Sequence, residues 1–166
     1  AATDPKQVKE NLFDRVLKSS PDNREALLAT GELALAKRDF KLAGQTFTRA
    51  IGHYPDDADL LYGLAKAYAE SDPSQMEEPL HTAMFTNPDH VPSLLLQAHN
   101  QADAEQYDTA HGILKAILKI NPNHAASWAL QAALHTVRNE PDKAKSARAS
   151  GLKYWKTNPL VDHEIG

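Results

Sequence analysis

Apolar side chains along this chain recur three or four positions apart, in stretches broken by short polar turns. Between Arg24 and Asp57 two such stretches flank Lys37-Arg38-Asp39. The spacing is that of a helix with one buried face, since a half-buried strand would alternate in twos. The unit therefore predicts a helix-turn-helix. Each unit closes on a proline: Ser20-Pro21-Asp22, Tyr54-Pro55-Asp56, Asn87-Pro88-Asp89 and Asn121-Pro122-Asn123 follow amphipathic stretches, and their prolines lie 34, 33 and 34 residues apart. Proline lacks the amide donor a helix needs and disfavours helical geometry in the residue before it, so each tripeptide stops one helix and opens a turn.

Size follows the same period. Gly31, Ala65, Ala98 and Ala132 occupy the eighth place of their units, where a hairpin's helices approach and a large side chain would separate them. Ala43, Ala110 and Ala144 share the twentieth place, with Met76 the exception. Leu27, Leu61, Leu94 and Trp128 at the fourth place, and Phe47, Leu80 and Leu114 at the twenty-fourth, supply bulk. From about Asp4 to Trp155 this pattern resembles the tetratricopeptide repeat, most closely in the first unit through Gly31, Phe40, Ala43, Phe47, Ala50 and Pro55.

The resemblance implies an all-α, right-handed superhelix of about nine antiparallel helices. Its expected parts are an unpaired helix at 4–19, repeats at 24–57, 58–90, 91–124 and 125–157, and the start of a truncated continuation at 158–166. Two departures stand out. The second repeat is a residue short between its helices and carries Pro79 inside the second, which is expected to start late or kink. The fourth places Arg148 where a large apolar residue is usual.

Composition narrows the partners. The formal charge of −4 gives no general attraction to nucleic acid or anionic lipid. No apolar run approaches the roughly 18 residues of a membrane helix, so no direct membrane insertion is expected. Cysteine is absent, which removes disulfides and thiol chemistry and leaves the compartment open between cytoplasm and periplasm for what is expected to be a soluble segment. Residue 1 is Ala, so translation is expected to have begun elsewhere, before a removed leader or within a longer protein.

Catalysis finds no support. None of the eight histidines lies three or four residues from another, the spacing that puts two metal ligands on one helix face, and they are expected to be solvated or packing residues. His90 and His124, each beside a turn, are expected at the surface. His163-Glu164-Ile165-Gly166 has the first part of a zinc-protease signature without its second histidine. With no glycine-rich phosphate loop and no nucleophile motif, neither enzyme activity, a metal nor a cofactor is expected.

Under the resemblance, the first helix of each repeat lines a concave groove that binds protein or peptide. That groove would receive Glu25, Leu28, Glu32 and Leu35, then Asp59, Tyr62, Lys66 and Glu70, then Leu95, His99 and Asp103, and finally Ala129, Ala133 and Thr136. Five acids against Lys66, interleaved with apolar side chains, suit a partner segment that is basic and apolar. Relatives that grip the C-terminal carboxylates of heat-shock chaperones use Lys, Asn and Arg on this face; Leu28, Glu32, Tyr62 and Lys66 stand there instead, so that ligand class is not expected. The expected role is a protein-interaction scaffold, of the kind that helps assembly in bacteria. The alternative is the repeat segment of a larger enzyme with a metallopeptidase-like domain downstream of Asn158-Pro159. Self-association through the C-terminal helix is a further expectation, from Leu152, Tyr154 and Trp155.

Overall fold

The computed structural model describes residues 15–153. The start of the unpaired helix at Asp4-Pro5, the apolar Tyr154 and Trp155, and the expected continuation at 158–166 with its His163-Glu164 pair lie outside them. Among the described residues all regular structure is helical. Helical residues 15–19 are followed by α1 (Arg24–Ala36), α2 (Phe40–His53), α3 (Ala58–Ser71), a 3₁₀ turn (Pro73–Gln75), α4 (Glu77–Thr86), α5 (Val91–Asp103), α6 (Tyr107–Ile120), α7 (Ala125–Val137) and α8 (Pro141–Gly151). They pair as α1–α2, α3–α4, α5–α6 and α7–α8, the antiparallel hairpins that the period predicts. The chain divides into two compact units, the first ending at His90 and the second beginning at Val91.

Local chemistry sets the helix ends. Asn23 accepts the Ala26 amide at 2.9 Å, Asp39 the Leu42 amide at 3.0 Å, and Asp57 those of Asp59 and Leu60 at 3.1 and 3.2 Å, which satisfies donors that a helix start leaves open. The inter-helix turns of the first, third and fourth repeats share one design. Arg38, Glu105 and Asn139 have φ of 59°, 59° and 56°, and the following amide reaches back five residues, as Asp39 N to Ala34 O at 2.9 Å. The second repeat lacks that left-handed residue. There the chain runs through Asp72 into the 3₁₀ turn, and α4 starts late, at Glu77. Pro79 thus falls in the first turn of α4, where its missing N–H has no intrahelical partner to lose.

The small positions behave as their size predicts. Phe47 of α2 is fully buried, and Gly31 of α1 and Gly63 of α3 both give onto its ring. A Cβ on Gly31 would sit 2.5 Å from the ring's Cζ. Around Phe47 gather Leu27, Ala34, Ala43, Ala50, Leu60 and Ala67, with Leu17 of the leading helical residues packed against them. The second unit has its own core of Ala98, Ala110, Leu114, Ile117, Leu130 and Leu134. Among the described residues no helix is long and apolar enough to cross a membrane.

Candidate functional site

The first helices of the first two repeats, α1 and α3, pack on the same side of α2 and leave a cleft of about 420 Å³ between them. Leu28, Glu32 and Leu35 line it from α1, and Asp59, Tyr62, Lys66 and Glu70 from α3. These seven residues were expected together, and one helical face brings each set of them there: 28, 32 and 35 on α1, and 59, 62, 66 and 70 on α3, are spaced three or four apart. Glu25 is not among the lining residues; it is exposed and faces Arg24 at 3.7 Å. Five more residues were missed from the sequence, among them Ala36 at the end of α1. Arg38 and Phe40 enter from the α1–α2 turn, while Phe47 and Gly63 form part of the wall.

The charge of the cleft differs from the sequence expectation of five acids facing Lys66. Asp59 accepts Arg24 Nη2 at 2.7 Å and lies 3.1 Å from His90 Nε2. Glu70 lies 3.5 Å from Arg38 Nη2. Both acids are therefore partly neutralised by cations from elsewhere in the same unit. Glu32 is exposed and has no ion-pair partner among the described residues. Lys66 is also exposed, its Nζ 6.0 Å from the centroid of the Tyr62 ring.

Beneath the cleft, Arg24 also donates to both oxygens of Asp57, with Nη2–Oδ1 at 3.0 Å. These bonds, to Asp57 first and Asp59 second, raise the Arg24 guanidinium above its ordinary pKa. Burial alone would raise Asp57, but the Arg24 hydrogen bond and the Leu60 amide outweigh it and hold the carboxyl below its usual range. His90 is buried, not superficial: its Nε2 meets Asp59 and its ring stands edge-on to Tyr62, centroids 5.8 Å apart. The Tyr62 wall is thereby braced from behind.

In the second unit the expected groove residues are less accessible. Ala129 is fully buried and offers no surface, because α7 turns that position into the core beside Leu130. Leu95 packs against the core, while Asp103 and Thr136 are exposed, the latter with its hydroxyl turned back onto Ala132 O at 2.9 Å. His99 and Ala133 are partly covered. His124 is also drawn inward from its expected surface position: Nδ1 accepts the Ser127 amide at 3.3 Å and caps α7. Among the described residues no cluster of three or more His, Asp or Glu could hold a metal ion.

Residues 10–58 and 34–72 match the family model described as tetratricopeptide repeat. No curated protein matches the chain. Solved structures do. TTC0263, a thermophilic protein of this repeat class from Thermus thermophilus, aligns with a TM-score of 0.80 at 20% identity, over 93% of this chain and 86% of its own. YrrB, described as having an unusual peptide-binding site, gives 0.67 at 18%, over 91% and 78%. The pilF product of Pseudomonas aeruginosa gives 0.73 at 16%, over 93% and 71%. At these identities the likeness is one of fold.

Proposed function

Since the chain is a tetratricopeptide-repeat protein, and such domains are in general protein-interaction modules, we propose that the α1–α3 cleft binds a peptide segment by one apolar and one basic side chain. The apolar side chain enters between Leu28, Leu35 and Tyr62, and the basic one reaches Glu32. The observation that carries this reading is the contrast among the acids: Asp59 and Glu70 have cations beside them, whereas Glu32, on the rim of an apolar cleft, has none among the described residues. In this reading Lys66, which also lines the cleft, donates to a carbonyl oxygen of the bound segment.

Magnitudes divide the labour. Burying a leucine-sized side chain is worth roughly 1.5–3 kcal/mol, whereas an exposed ion pair contributes about 1 kcal/mol or less. Apolar burial therefore supplies most of the affinity, and Glu32 selects among segments and speeds encounter. The likeness to YrrB agrees with a peptide as the ligand class.

Random peptides displayed on phage and panned against the wild-type chain test this. An apolar residue close to Lys or Arg is expected among the recovered sequences, and the basic residue is expected to disappear from those recovered on Glu32→Lys. Recovery of the same sequences from both would count against the proposal.

A further inference from the structure

The second unit sets a buried histidine, His111, against a half-buried one, His135, in a pair that the cleft does not involve. His111 of α6 and His135 of α7 meet with ring centroids 4.6 Å apart and planes tilted by 38°. His111 is 8% exposed, and its Nε2 has no hydrogen-bond partner among the described residues. A buried polar atom left so loses its hydration without compensation, a cost that an apolar side chain would avoid. The imidazole stands there at a cost in stability. His135 is held from the other side, its Nδ1 2.6 Å from Glu140 Oε2, and the second carboxylate oxygen of Glu140 takes Lys143 Nζ at 2.9 Å.

A proton fits poorly on His111. It would be desolvated and would face His135 from α7, Arg138 from the turn beyond it and Lys115 on its own helix, with Glu140 as the opposing charge. Asp108 of α6 is already taken by Arg138 at 2.7 Å. Helix α5, which also packs on α6, carries His99 and Asp103, and Lys143 in the first turn of α8 is bonded to Glu140. Burial first, and His135 second, hold the His111 imidazole below its ordinary value.

We propose that the His111–His135–Glu140 cluster is a proton-operated release within the second unit: when the buried His111 ring takes a proton at mildly acid pH, α6 parts from α7 and the unit loosens. The contact at stake is the one through which Leu114 and Ile117 of α6 pack with Leu130 and Leu134 of α7. The sign follows from linkage. A histidine whose folded value is depressed contributes stability that is complete above the unfolded range, about pH 6.5, and is lost as pH falls from there towards the folded value. His124 acts in the same direction, because burial depresses it and a proton on Nδ1 removes the acceptor for the Ser127 amide. A test of the pair must therefore be run with His124→Asn, which keeps a capping side chain and cannot titrate.

Hydrogen exchange read by mass spectrometry on the His124→Asn chain, corrected for the intrinsic pH effect, provides the test across about pH 7.5 to about pH 5.5. The opening constant of α6 and α7 is expected to rise by up to about tenfold per pH unit below about 6.5, while α1 and α2 stay protected. Adding His111→Phe is expected to abolish the rise. If that variant does not fold, His111→Gln, which is polar but does not titrate, is expected to do the same. Protection of α6 and α7 that does not change with pH, or an equal rise in the His111 variant that folds, would overturn the proposal.

Discussion

Arg24, in the first turn of α1, donates to both carboxylate oxygens of Asp57, the N-cap of α3 33 residues further on. One side chain thus ties the start of the first repeat to the start of the second while Asp57 also caps its own helix. Both groups are mostly covered, at 28% and 16% side-chain exposure, so removing the cation strands a carboxylate away from water. Arg24→Ala is expected to cost about 2 kcal/mol in denaturant unfolding of the first unit. Arg24→Lys is expected to recover only part of that, because an ammonium cannot pair with two oxygens in a fixed plane.

Asp57 also sets an acid limit for the first unit. Its folded value is depressed, so its contribution is complete above the unfolded carboxylate range, about pH 4, and is lost as pH falls through the folded value. Circular dichroism of a chain truncated after His90 is expected to show acid unfolding only below about pH 4. In Arg24→Ala that transition is expected to move to higher pH. An unchanged midpoint would contradict the role given to Arg24.

Gly63 is a second sensitive point. Glycine to alanine inside a helix ordinarily gains about 1 kcal/mol, yet a methyl here would press on the buried Phe47 ring from α3, against atoms that α1 confines on the opposite side. Gly63→Ala is expected to destabilise by about 1–3 kcal/mol on thermal or chemical unfolding. At Gly52, whose Cβ would meet nothing within 4 Å, the same change is expected to stabilise.

Glu105 holds a left-handed conformation at φ 59° that costs a residue with a Cβ about 1 kcal/mol. Glu105→Gly is expected to raise the stability of the second unit by about 0.5–1 kcal/mol, read as a shift in the denaturant midpoint.

The hairpins were legible because their signals are local and repeated: proline turns at a fixed period, small residues where helices approach, and apolar stripes at helical spacing. The cleft was half legible for the same reason. Leu28, Glu32 and Leu35 share a face of α1 by spacing alone, but its charge balance depends on contacts made about one repeat away. Arg24 reaches Asp57 across 33 residues, Arg38 reaches Glu70 across 32, and Asp59 meets His90 across 31. Opposite charges separated by nearly one period were the available signal, and a search along single helix faces passes over them. His90 and His124 were misplaced at the surface for a similar reason, and the pairing of two packing histidines was not foreseen. No two share a helix face, yet the packing of α6 on α7 brings His111 against His135.

Glu32 as the charge selector of an apolar cleft is the central claim, and a charge exchange measured by titration calorimetry tests it most directly. A selected peptide with an apolar anchor and a neighbouring Lys is expected to bind Glu32→Lys about tenfold or more weakly than wild type, a pair repelling where it once attracted. Replacing that Lys of the peptide by Glu is expected to restore binding to Glu32→Lys and weaken it to wild type, while Glu70→Lys changes the preference little. Equal affinities for both peptides in wild type and Glu32→Lys would contradict the account.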